Sequence, residues 1–473
     1  MSDASKPGKP TTAQRLEAAN RLHQQGRLLD AEVMYREVLA AEPENVDALH
    51  LLGVIAGQTG HDEAAVPLLA RAVVLGGENA EVLANFGAVL MRVDKLEDAA
   101  KCLARATALK PDYEFAVANL AVALTRMGRL PEALRCYNRA LEISPGSADV
   151  MANRAYALHL SGDLAAGWRD YESRFERGAS PPLRRPFPYP WWDGSALDGK
   201  SLLLWGEAGV GDELWFAGMF PDLFELAHSP RRVVIECAPK LLTLFGRSFP
   251  KATVVATATP PQSECMHDVD LQIAAGSLAQ HLRPGLASFP RRTRYLLADD
   301  KRIAYWKHKL AALGPGLKVG VCWRSTNLAG ERKLSCTTLA QWTEVFKVPG
   351  VQFVSVQYDE CRAELDAAQS ATGVEIHQFP EVDMYNDLDG TAALLCALDL
   401  VISAPTAVSV LAAALGVATW QLNYLADWQC HGGIGNPWYR TMRQFVRQWD
   451  QRWERALSEV AMNLAELARD GRR

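Results

Sequence analysis

A period of 34 residues in the first third of the chain constrains its fold more than any other sequence feature. Small residues and helix-breaking residues recur along this period in four registers. They are Gly26, Gly60, Gly128 and Gly162; Ala31, Ala65, Ala99 and Ala133; Ala72, Ala106 and Ala140; and Pro43, Pro111 and Pro145. Asp94 takes the place of a glycine between Gly60 and Gly128, and Gly77 takes the place of a proline between Pro43 and Pro111. Small residues let two helices of a hairpin approach closely, and proline cannot continue a helix. The period therefore predicts a stack of helical hairpins.

Hairpins at this spacing are typical of tetratricopeptide repeats, which stack into a solenoid with a concave binding face. We count four full repeats from about residue 12 to residue 146. A fifth, degenerate repeat contains Trp168, Tyr171 and Phe175. The sequence therefore predicts a repeat superhelix over residues 12–177.

Asparagines recur in the same period, and each falls on the first helix of its repeat. They are Asn85, Asn119 and Asn153. A carboxamide donates and accepts hydrogen bonds, so a row of them can pair with a polypeptide backbone whatever its sequence. The alternative is that asparagine is merely tolerated at this position of the repeat.

After residue 177 the pattern changes to short apolar runs alternating with helical stretches, which is typical of a parallel α/β sheet. A proline-rich connector is predicted over 178–197, followed by two Rossmann-like halves over 198–312 and 313–473. The predicted strands are Ser201–Trp205, Val233–Glu236, Thr253–Ala256, Val319–Trp323, Val351–Gln357, Val374–Gln378, Leu400–Ser403 and Ala418–Leu422. The predicted helices include Thr338–Phe346, Thr406–Leu415 and Gln451–Arg469.

Composition excludes several classes of protein. With 473 residues, 49% of them hydrophobic and 22% charged, the chain is a multidomain globular protein and not a disordered one. Its net charge of −5 makes a nucleic-acid-coating role unexpected. No apolar run is long enough for a membrane span, and the first twelve residues are too polar for a signal peptide. The nine cysteines include no CxxC pair. We therefore expect reduced thiols, no metal site and a cytoplasmic location.

A glycine-rich turn, Trp205–Asp212, follows the first predicted strand and leads into a helix. Gly209 and Gly211 would allow a ligand to approach the backbone, and a helix start favours an anion. The turn lacks the Lys-Ser/Thr of a phosphate loop and the GxGxxG spacing of a dinucleotide site. Asp212 is either an N-terminal helix cap or a carboxylate suited to act as a general base, with Glu207 as an alternative base.

Two further segments follow strands of the second half. Lys333 precedes a predicted helix and could meet a phosphate as a point charge, although a lone lysine is also an ordinary surface residue. Thr406 starts a helix at the end of the strand Leu400–Ser403, where α/β sheets bind phosphorylated ligands.

Together these features resemble bacterial tetratricopeptide-repeat glycosyltransferases of the GT-B fold. The repeats with their asparagines are similar to those of O-linked N-acetylglucosamine transferases. The stretch Lys333–Trp342 resembles that family's segment beginning with the donor-phosphate lysine. Gly209–Asp212 resembles the LGD loop of heptosyltransferases, whose aspartate is the proposed base. Asp427–Trp428 and Asn436–Met442 are typical of repeat-linked transferases.

The resemblance implies transfer of a sugar from a UDP-, dTDP- or CMP-linked donor to Ser or Thr of a protein, with flagellin or another surface protein as acceptor. Asp212 and Lys333 would be catalytic, and no metal or bound cofactor is implied. Asn85, Asn119 and Asn153 would hold the acceptor along the concave face, and the repeats could also mediate homo-oligomers. The implied donor contacts are Gly209, Gly211, Trp323, Lys333, Thr406, Ser409 and Asp427.

The chain departs from the family at two positions. Related sequences carry Asp and His near the donor phosphates where this chain has Pro405 and Ser409. A donor with one phosphate, such as a CMP-activated nonulosonic acid, would need fewer such contacts. Two alternatives remain: a glycosyltransferase that builds lipopolysaccharide or another glycan, and a non-catalytic repeat adaptor with a degenerate sugar-nucleotide fold.

Overall fold

The computed structural model describes residues 10–178, 184–207, 209–258, 268–328, 330–425, 427–433 and 435–470. Residues 179–183 of the predicted connector and Cys265 lie outside this part. The chain divides into two compact units, residues 1–150 and 151–473. The boundary falls inside a helix of the fifth predicted repeat, so most of that repeat belongs to the second unit.

Antiparallel helix pairs build the first unit, as the period predicts. The helices are α1 (Thr12–Gln24), α2 (Leu28–Ala41), α3 (Val46–Gln58), α4 (Asp62–Gly76), α5 (Ala80–Arg92), α6 (Leu96–Leu109), α7 (Glu114–Arg126), α8 (Leu130–Ile143) and α9 (Ala148–Ser161), which crosses the boundary. Within the unit, the first helices of successive repeats, α3, α5 and α7, lie next to one another.

The recurring small residues have the roles that the sequence predicts. The periodic glycines all have positive φ, from 72° to 84°, and each lies between the two helices of its hairpin. Asp94, which takes the place of a glycine in this series, also has a positive φ of 62°. A short polar side chain tolerates the left-handed region better than most side chains do. Ala31, Ala65 and Ala99 are fully buried where the helices of a hairpin meet.

The second unit contains two all-parallel sheets. The strands are β1 (Ser201–Trp205), β2 (Arg232–Cys237), β3 (Thr253–Ala256), β4 (Leu271–Ala274), β5 (Leu317–Cys322), β6 (Val351–Ser355), β7 (Ile376–His377), β8 (Leu400–Ser403), β9 (Thr419–Tyr424) and β10 (Met442–Arg447). The first sheet has the order β3-β2-β1-β4 and the second β10-β9-β8-β5-β6-β7. Counted within each half, both follow the Rossmann order: the second and third strands are added on one side of the first strand, and the fourth is added on its other side.

Helices precede, connect and follow these strands. They are α10 (Leu164–Tyr171), α11 (Val210–Phe216), α12 (Phe220–Leu223), α13 (Leu242–Ser248), α14 (Leu278–Leu282), α15 (Asp300–Ala311), α16 (Thr343–Phe346), α17 (Arg362–Thr372), α18 (Leu388–Leu395), α19 (Ala407–Ala414) and α20 (Trp453–Asp470). A 3₁₀ helix, Glu172–Phe175, follows α10, and another, Leu339–Trp342, forms the first part of the predicted helix Thr338–Phe346. The predicted fold class, a repeat solenoid followed by an α/β region, is confirmed.

The sequence analysis missed β4 and β10. In β4 the buried Gln272 breaks the apolar run, and its side-chain Nε2 donates to the backbone oxygens of Phe187 and Tyr189 in the connector. In β10, the adjacent apolar residues Phe445 and Val446 have charged and polar residues on both sides.

In the described part of the chain, no helix combines the length and apolarity needed to cross a membrane. The same residues include no cluster of three or more metal-ligating side chains. The eight cysteines among them are all free thiols.

Candidate active site

The second sheet has its switch point between the neighbouring strands β5 and β8, which end at Cys322 and Ser403. Crevices at such points are where open α/β sheets bind ligands. The Thr406 hydroxyl, at the start of α19, lies 3.7 Å from the Cys322 sulfur and 3.3 Å from the Ser403 hydroxyl. The predicted donor residue Thr406 is therefore at the switch point. We call this place the second crevice.

Ser409 is fully buried, and its hydroxyl is used within the chain. It accepts from the Thr406 N–H at 3.2 Å and from Gln421 Nε2 at 3.0 Å, and it donates to the Thr406 oxygen at 2.8 Å. One donor and two acceptor sites exhaust a hydroxyl. Ser409 therefore fixes the start of α19, and its side chain is not free to contact the donor as the resemblance implies.

Trp323 is also fully buried, within the core of the second sheet. Its indole N–H donates to Glu364 at 2.6 Å, and its backbone oxygen accepts from the Thr337 N–H at 2.9 Å. Its backbone N–H also donates to Gln357 Oε1 at 3.2 Å. Trp323 is therefore a structural residue and is not free to contact the donor as the resemblance implies.

The first sheet has its switch point between β1 and β4, and the glycine-rich turn follows β1. Gly209 is the N-terminal cap of α11, and its N–H donates to Oδ2 of Asp212, three residues later, at 3.2 Å. The prediction that Asp212 is itself the N-terminal cap is therefore wrong, although its side chain completes the capping interaction. Burial raises the pKa of the Asp212 carboxyl above its ordinary value, while this hydrogen bond and the nearby Arg332 guanidinium oppose the shift. Asp212 remains partly accessible to solvent, so capping and proton transfer are compatible roles.

The starts of α11 and α19 lie against each other. A Cβ added to Gly211 would lie 3.7 Å from the Ala407 Cα, at the first residue of α19. A Cβ there would be at ordinary van der Waals distance, so the two segments are in contact whether or not residue 211 is glycine. The Asp212 turn and the Thr406 helix start, which belong to different sheets, are therefore parts of one site.

The crevice between β1 and β4, the first crevice, is occupied by the side chain of Arg174, from the 3₁₀ helix after α10. Arg174 Nε and Nη2 each donate to a different oxygen of the Glu207 carboxylate at 2.8 Å, and Nη2 also donates to the Ser277 hydroxyl at 2.8 Å. Glu207 Oε1 also accepts from the Gly276 N–H at 2.8 Å. Arg174 and Glu207 are both buried. Glu207, the alternative base, is therefore committed to an ion pair.

Asp427 follows β9, which pairs with β8. Its carboxylate accepts from the Gln429 N–H at 3.0 Å and from Gln444 Nε2 at 3.3 Å. Burial raises the pKa of Asp427 to about 6. Burial also raises the pKa of the neighbouring Tyr439, and the charges of Asp427 and Asp212 raise it further. Both carboxylates therefore lie near one tyrosine, whose hydroxyl is 3.1 Å from that of Tyr295.

Lys333 is exposed, and no ion pair involves its ammonium group within the described residues. Its backbone oxygen accepts from the Cys336 N–H at 3.2 Å. The side chain is available to a ligand, as its predicted donor role requires.

The predicted asparagine row is not uniform. Asn85 Nδ2 lies 2.8 Å from His50 Nε2, and Asn119 Nδ2 donates to the oxygen of Phe115 in its own helix at 2.7 Å. Asn153 is exposed. A groove of about 720 Å³ in the first unit is lined by residues of α6, α7 and α8 that include neither Asn85 nor Asn119. Asn85 and Asn119 therefore each use one side-chain hydrogen bond within the chain, and both are only partly exposed.

Two histidines that sequence analysis missed lie in an aromatic cluster beside the Asp427 segment. His159, on α9, has its ring centroid 5.1 Å from that of His431 and 4.2 Å from that of Trp168. Both histidines are almost fully buried, and neither nitrogen of His159 has a hydrogen-bond partner among the described residues. Burial lowers the pKa of His159 to about 3 and that of His431 to about 4. Both rings are therefore neutral at physiological pH.

Models of the tetratricopeptide-repeat family match residues 16–80 and 116–147. The chain contains tetratricopeptide repeats. Protein FlbA of Caulobacter vibrioides is 37% identical over 312 residues, which cover 64% of this chain and 52% of FlbA. The chain thus spans about half the length of the curated relative it matches.

Solved structures of other repeat proteins are similar to about a third of this chain. A MamA protein is 25% identical with a TM-score of 0.32, over 35% of this chain and 90% of its own. YrrB, a repeat protein with an unusual peptide-binding site, is 21% identical with a TM-score of 0.31, over 34% of this chain and 84% of its own. MamA from Desulfovibrio magneticus RS-1 is 16% identical with a TM-score of 0.32, over 36% of this chain and 97% of its own.

Proposed function

We propose that this protein is a glycosyltransferase that moves a sugar from a nucleotide donor onto Ser or Thr of a protein held by the repeats. One observation carries the proposal. Two parallel sheets with Rossmann strand order meet through the starts of α11 and α19, so that Gly211 lies against Ala407. A site shared by two such sheets suits a reaction between two substrates, each bound by one half.

In the proposed reaction the acceptor hydroxyl attacks the anomeric carbon of the donor sugar, and the bond from that carbon to the phosphate oxygen breaks. Asp212 takes the hydroxyl proton, because its partly buried carboxylate is more basic than an exposed one. Lys333 and the first N–H groups of α19 stabilise the negative charge on the departing phosphate. No step requires a metal.

The acceptor side of the proposal rests on the repeats. Stacked helical hairpins bind extended polypeptides, and a surface protein such as flagellin is the acceptor we favour. Because nucleotide sugars are made in the cytoplasm, we place the reaction there.

A second candidate is a non-catalytic adaptor. Pro405 and the buried Ser409 replace two residues that contact donor phosphates in related enzymes, and Ser409 has no free hydrogen-bonding capacity in the structure. An adaptor could keep the fold and the repeats while losing the donor.

The test compares intact masses of surface proteins from cells with the wild-type protein, the Asp212→Asn variant or no protein. We expect a sugar-sized mass on one or more proteins only with wild type. With the purified proteins, turnover should fall roughly 100- to 10,000-fold in Asp212→Asn, whereas donor affinity measured by calorimetry should stay within about threefold. Asn keeps a side-chain oxygen that can accept from the Gly209 N–H, so the fold should survive.

Identical mass spectra with and without the protein would refute protein glycosylation. In that case, nucleotide binding would favour a glycan transferase, and its absence the adaptor. An Asp212→Asn variant that kept more than about a third of wild-type turnover would exclude Asp212 as the base, since general-base catalysis is worth far more.

A further inference from the structure

We propose that Tyr358 and Tyr385 form an aromatic subsite that stacks the nucleobase of the donor. The inference rests on the proposed function in that it requires a nucleotide ligand. The inference adds the place where the nucleobase binds and the interaction that binds it, which is aromatic stacking.

The two tyrosines form one aromatic surface that solvent can reach. Their ring centroids are 6.4 Å apart, with 26° between the ring planes. Near-parallel rings at this separation are in the range of offset stacking. Tyr385 is 53% exposed, and Tyr358 is partly exposed. Solvent can therefore reach part of both rings, and this is where a planar ligand would stack.

Tyr385 is fixed in place although it is exposed. Its N–H donates to Asp383 Oδ1 at 3.0 Å, and its backbone oxygen accepts from Lys240 Nζ at 3.1 Å. The same ammonium lies 4.1 Å from the centre of the Tyr385 ring. Lys240 belongs to the segment after β2, so the first half of the unit holds a ring that the second half supplies. Pre-ordering the ring lowers the entropic cost of stacking a ligand on it.

Tyr358 connects the aromatic surface to the second crevice. It follows Gln357, whose side-chain oxygen accepts from the Cys322 thiol at 3.4 Å and from the Trp323 N–H at 3.2 Å. The Cys322 sulfur is in turn 3.7 Å from the Thr406 hydroxyl. A short chain of contacts thus joins the tyrosine pair to the start of α19, where the donor phosphate is proposed to bind.

A second set of contacts leads from Tyr358 towards Lys333. The Tyr358 hydroxyl donates to the Ser325 hydroxyl at 3.4 Å and accepts from the Thr326 N–H at 3.3 Å. The Ser325 N–H donates to the Cys336 sulfur at 3.3 Å, three residues after Lys333. Through these contacts Tyr358 is linked to the segments that carry Thr406 and Lys333, the two groups assigned to the phosphate.

Stacking explains how the site would choose its ligand. Every nucleobase has a π-face, so an aromatic surface holds uracil, thymine and cytosine alike. The subsite would therefore supply affinity for a nucleotide without deciding between UDP-, dTDP- and CMP-linked donors.

Calorimetry with UDP, dTDP and CMP, and with inorganic pyrophosphate as a base-free probe, tests the subsite. Stacking is worth roughly 1–3 kcal/mol per base, so Tyr385→Ala should weaken binding of the bound nucleotides about 5- to 150-fold. Pyrophosphate affinity should not change. Tyr385→Phe keeps the ring and should bind within about twofold of wild type. Tyr305→Ala removes another exposed tyrosine, 55% exposed on α15, and serves as the matched control.

Two outcomes would overturn the proposal, and they differ in what else they refute. If wild type binds a nucleotide and Tyr385→Ala binds it equally well, the subsite is wrong while the proposed function stands. If wild type binds none of the three nucleotides, both fail. Thermal melting of each variant checks the fold, and Tyr385→Leu replaces Tyr385→Ala if the latter melts early.

Discussion

The two sheets have the same strand order but use their crevices differently. In the first crevice, the chain's own Arg174 binds Glu207 and Ser277, which follow the ends of β1 and β4. In the second crevice, the Thr406 hydroxyl and the Cys322 thiol meet at the ends of β8 and β5.

This difference separates structural from ligand-binding residues. Removing one partner of a buried, bidentate ion pair leaves an uncompensated charge and destabilises the fold, and groups paired in this way cannot at the same time serve a substrate. The same strand order therefore predicts where a ligand could bind, but the side chains at the switch point decide whether one does. We expect variants at the first crevice to change stability and variants at the second to change binding.

The largest effect should come from Arg174→Ala, which leaves the buried Glu207 carboxylate without its partner. We expect the second unit to lose about 3–5 kcal/mol of unfolding free energy. All 13 tryptophans follow residue 151, so tryptophan fluorescence in urea reports on this unit alone. Arg443→Ala removes an exposed pair with Glu459 and should cost less than about 1 kcal/mol. A loss below about 1 kcal/mol in Arg174→Ala would contradict a structural role.

The next largest effect concerns the cluster of His159 and His431. A histidine whose pKa is lowered on folding stabilises the protein above its unfolded pKa, near 6.5, and this contribution is lost as pH falls towards the folded pKa. Because the folded pKa of His159 is about 3, this histidine should lower the free energy of unfolding by about 2 kcal/mol at pH 5 relative to pH 7.5.

His159→Phe keeps an aromatic ring but cannot titrate, so its stability should fall less between pH 7.5 and pH 5 than that of wild type. The exposed His308→Phe is the control and should follow wild type. Equal pH dependence in His159→Phe and wild type would mean that the buried ring does not control acid sensitivity.

Lys333→Ala tests the second crevice. The side chain is exposed, so unfolding free energy should change by less than about 0.5 kcal/mol. Nucleotide affinity should fall roughly tenfold, which is the low end of the about 1.5–3 kcal/mol that a hydrogen bond to a charged group is worth, because Lys333 is exposed to water. Lys347→Ala, which removes a 59% exposed lysine directly after α16, should change neither quantity. If Lys333→Ala destabilised the fold and left binding intact, the contrast between the crevices would be lost.

The smallest effects are expected for the asparagines, where the same contrast between internally bonded and free side chains applies. Asn85→Ala leaves the buried His50 without its partner and should cost about 1 kcal/mol of stability. Asn153→Ala, at an exposed position, should leave stability unchanged and weaken acceptor binding by about 1 kcal/mol. Acceptor affinity that is unchanged in Asn153→Ala, measured by calorimetry, would remove this residue from the acceptor site.

Much of the fold follows from local sequence. The 34-residue period predicts the helix pairs because glycine or aspartate at the turn and alanine in the hairpin are local requirements. Apolar runs predict eight of the ten strands for a similar reason. β4 escapes prediction because the buried Gln272 is satisfied by a connector more than 80 residues away in the chain.

The candidate site is less predictable because its parts meet through long-range contacts. The glycine-rich turn and the start of α19 can each be found from sequence, but their contact through Gly211 and Ala407 cannot. Nothing in the local sequence shows that Arg174 fills a crevice or that Ser409 is buried. The spacing of a motif reports what a residue could do, whereas its partners decide which hydrogen bonds remain free.

The long-range hydrogen bond of Trp168 has a consequence for synthesis on the ribosome. Its indole donates to the backbone oxygen of Arg283, 115 residues later. At about 5–20 residues per second, roughly 6–23 s pass before this acceptor is even translated. The first four repeats make short-range contacts and can form as they emerge. The aromatic side chains of α10 must meanwhile stay uncovered, which makes this segment a natural point for chaperones to engage the growing chain.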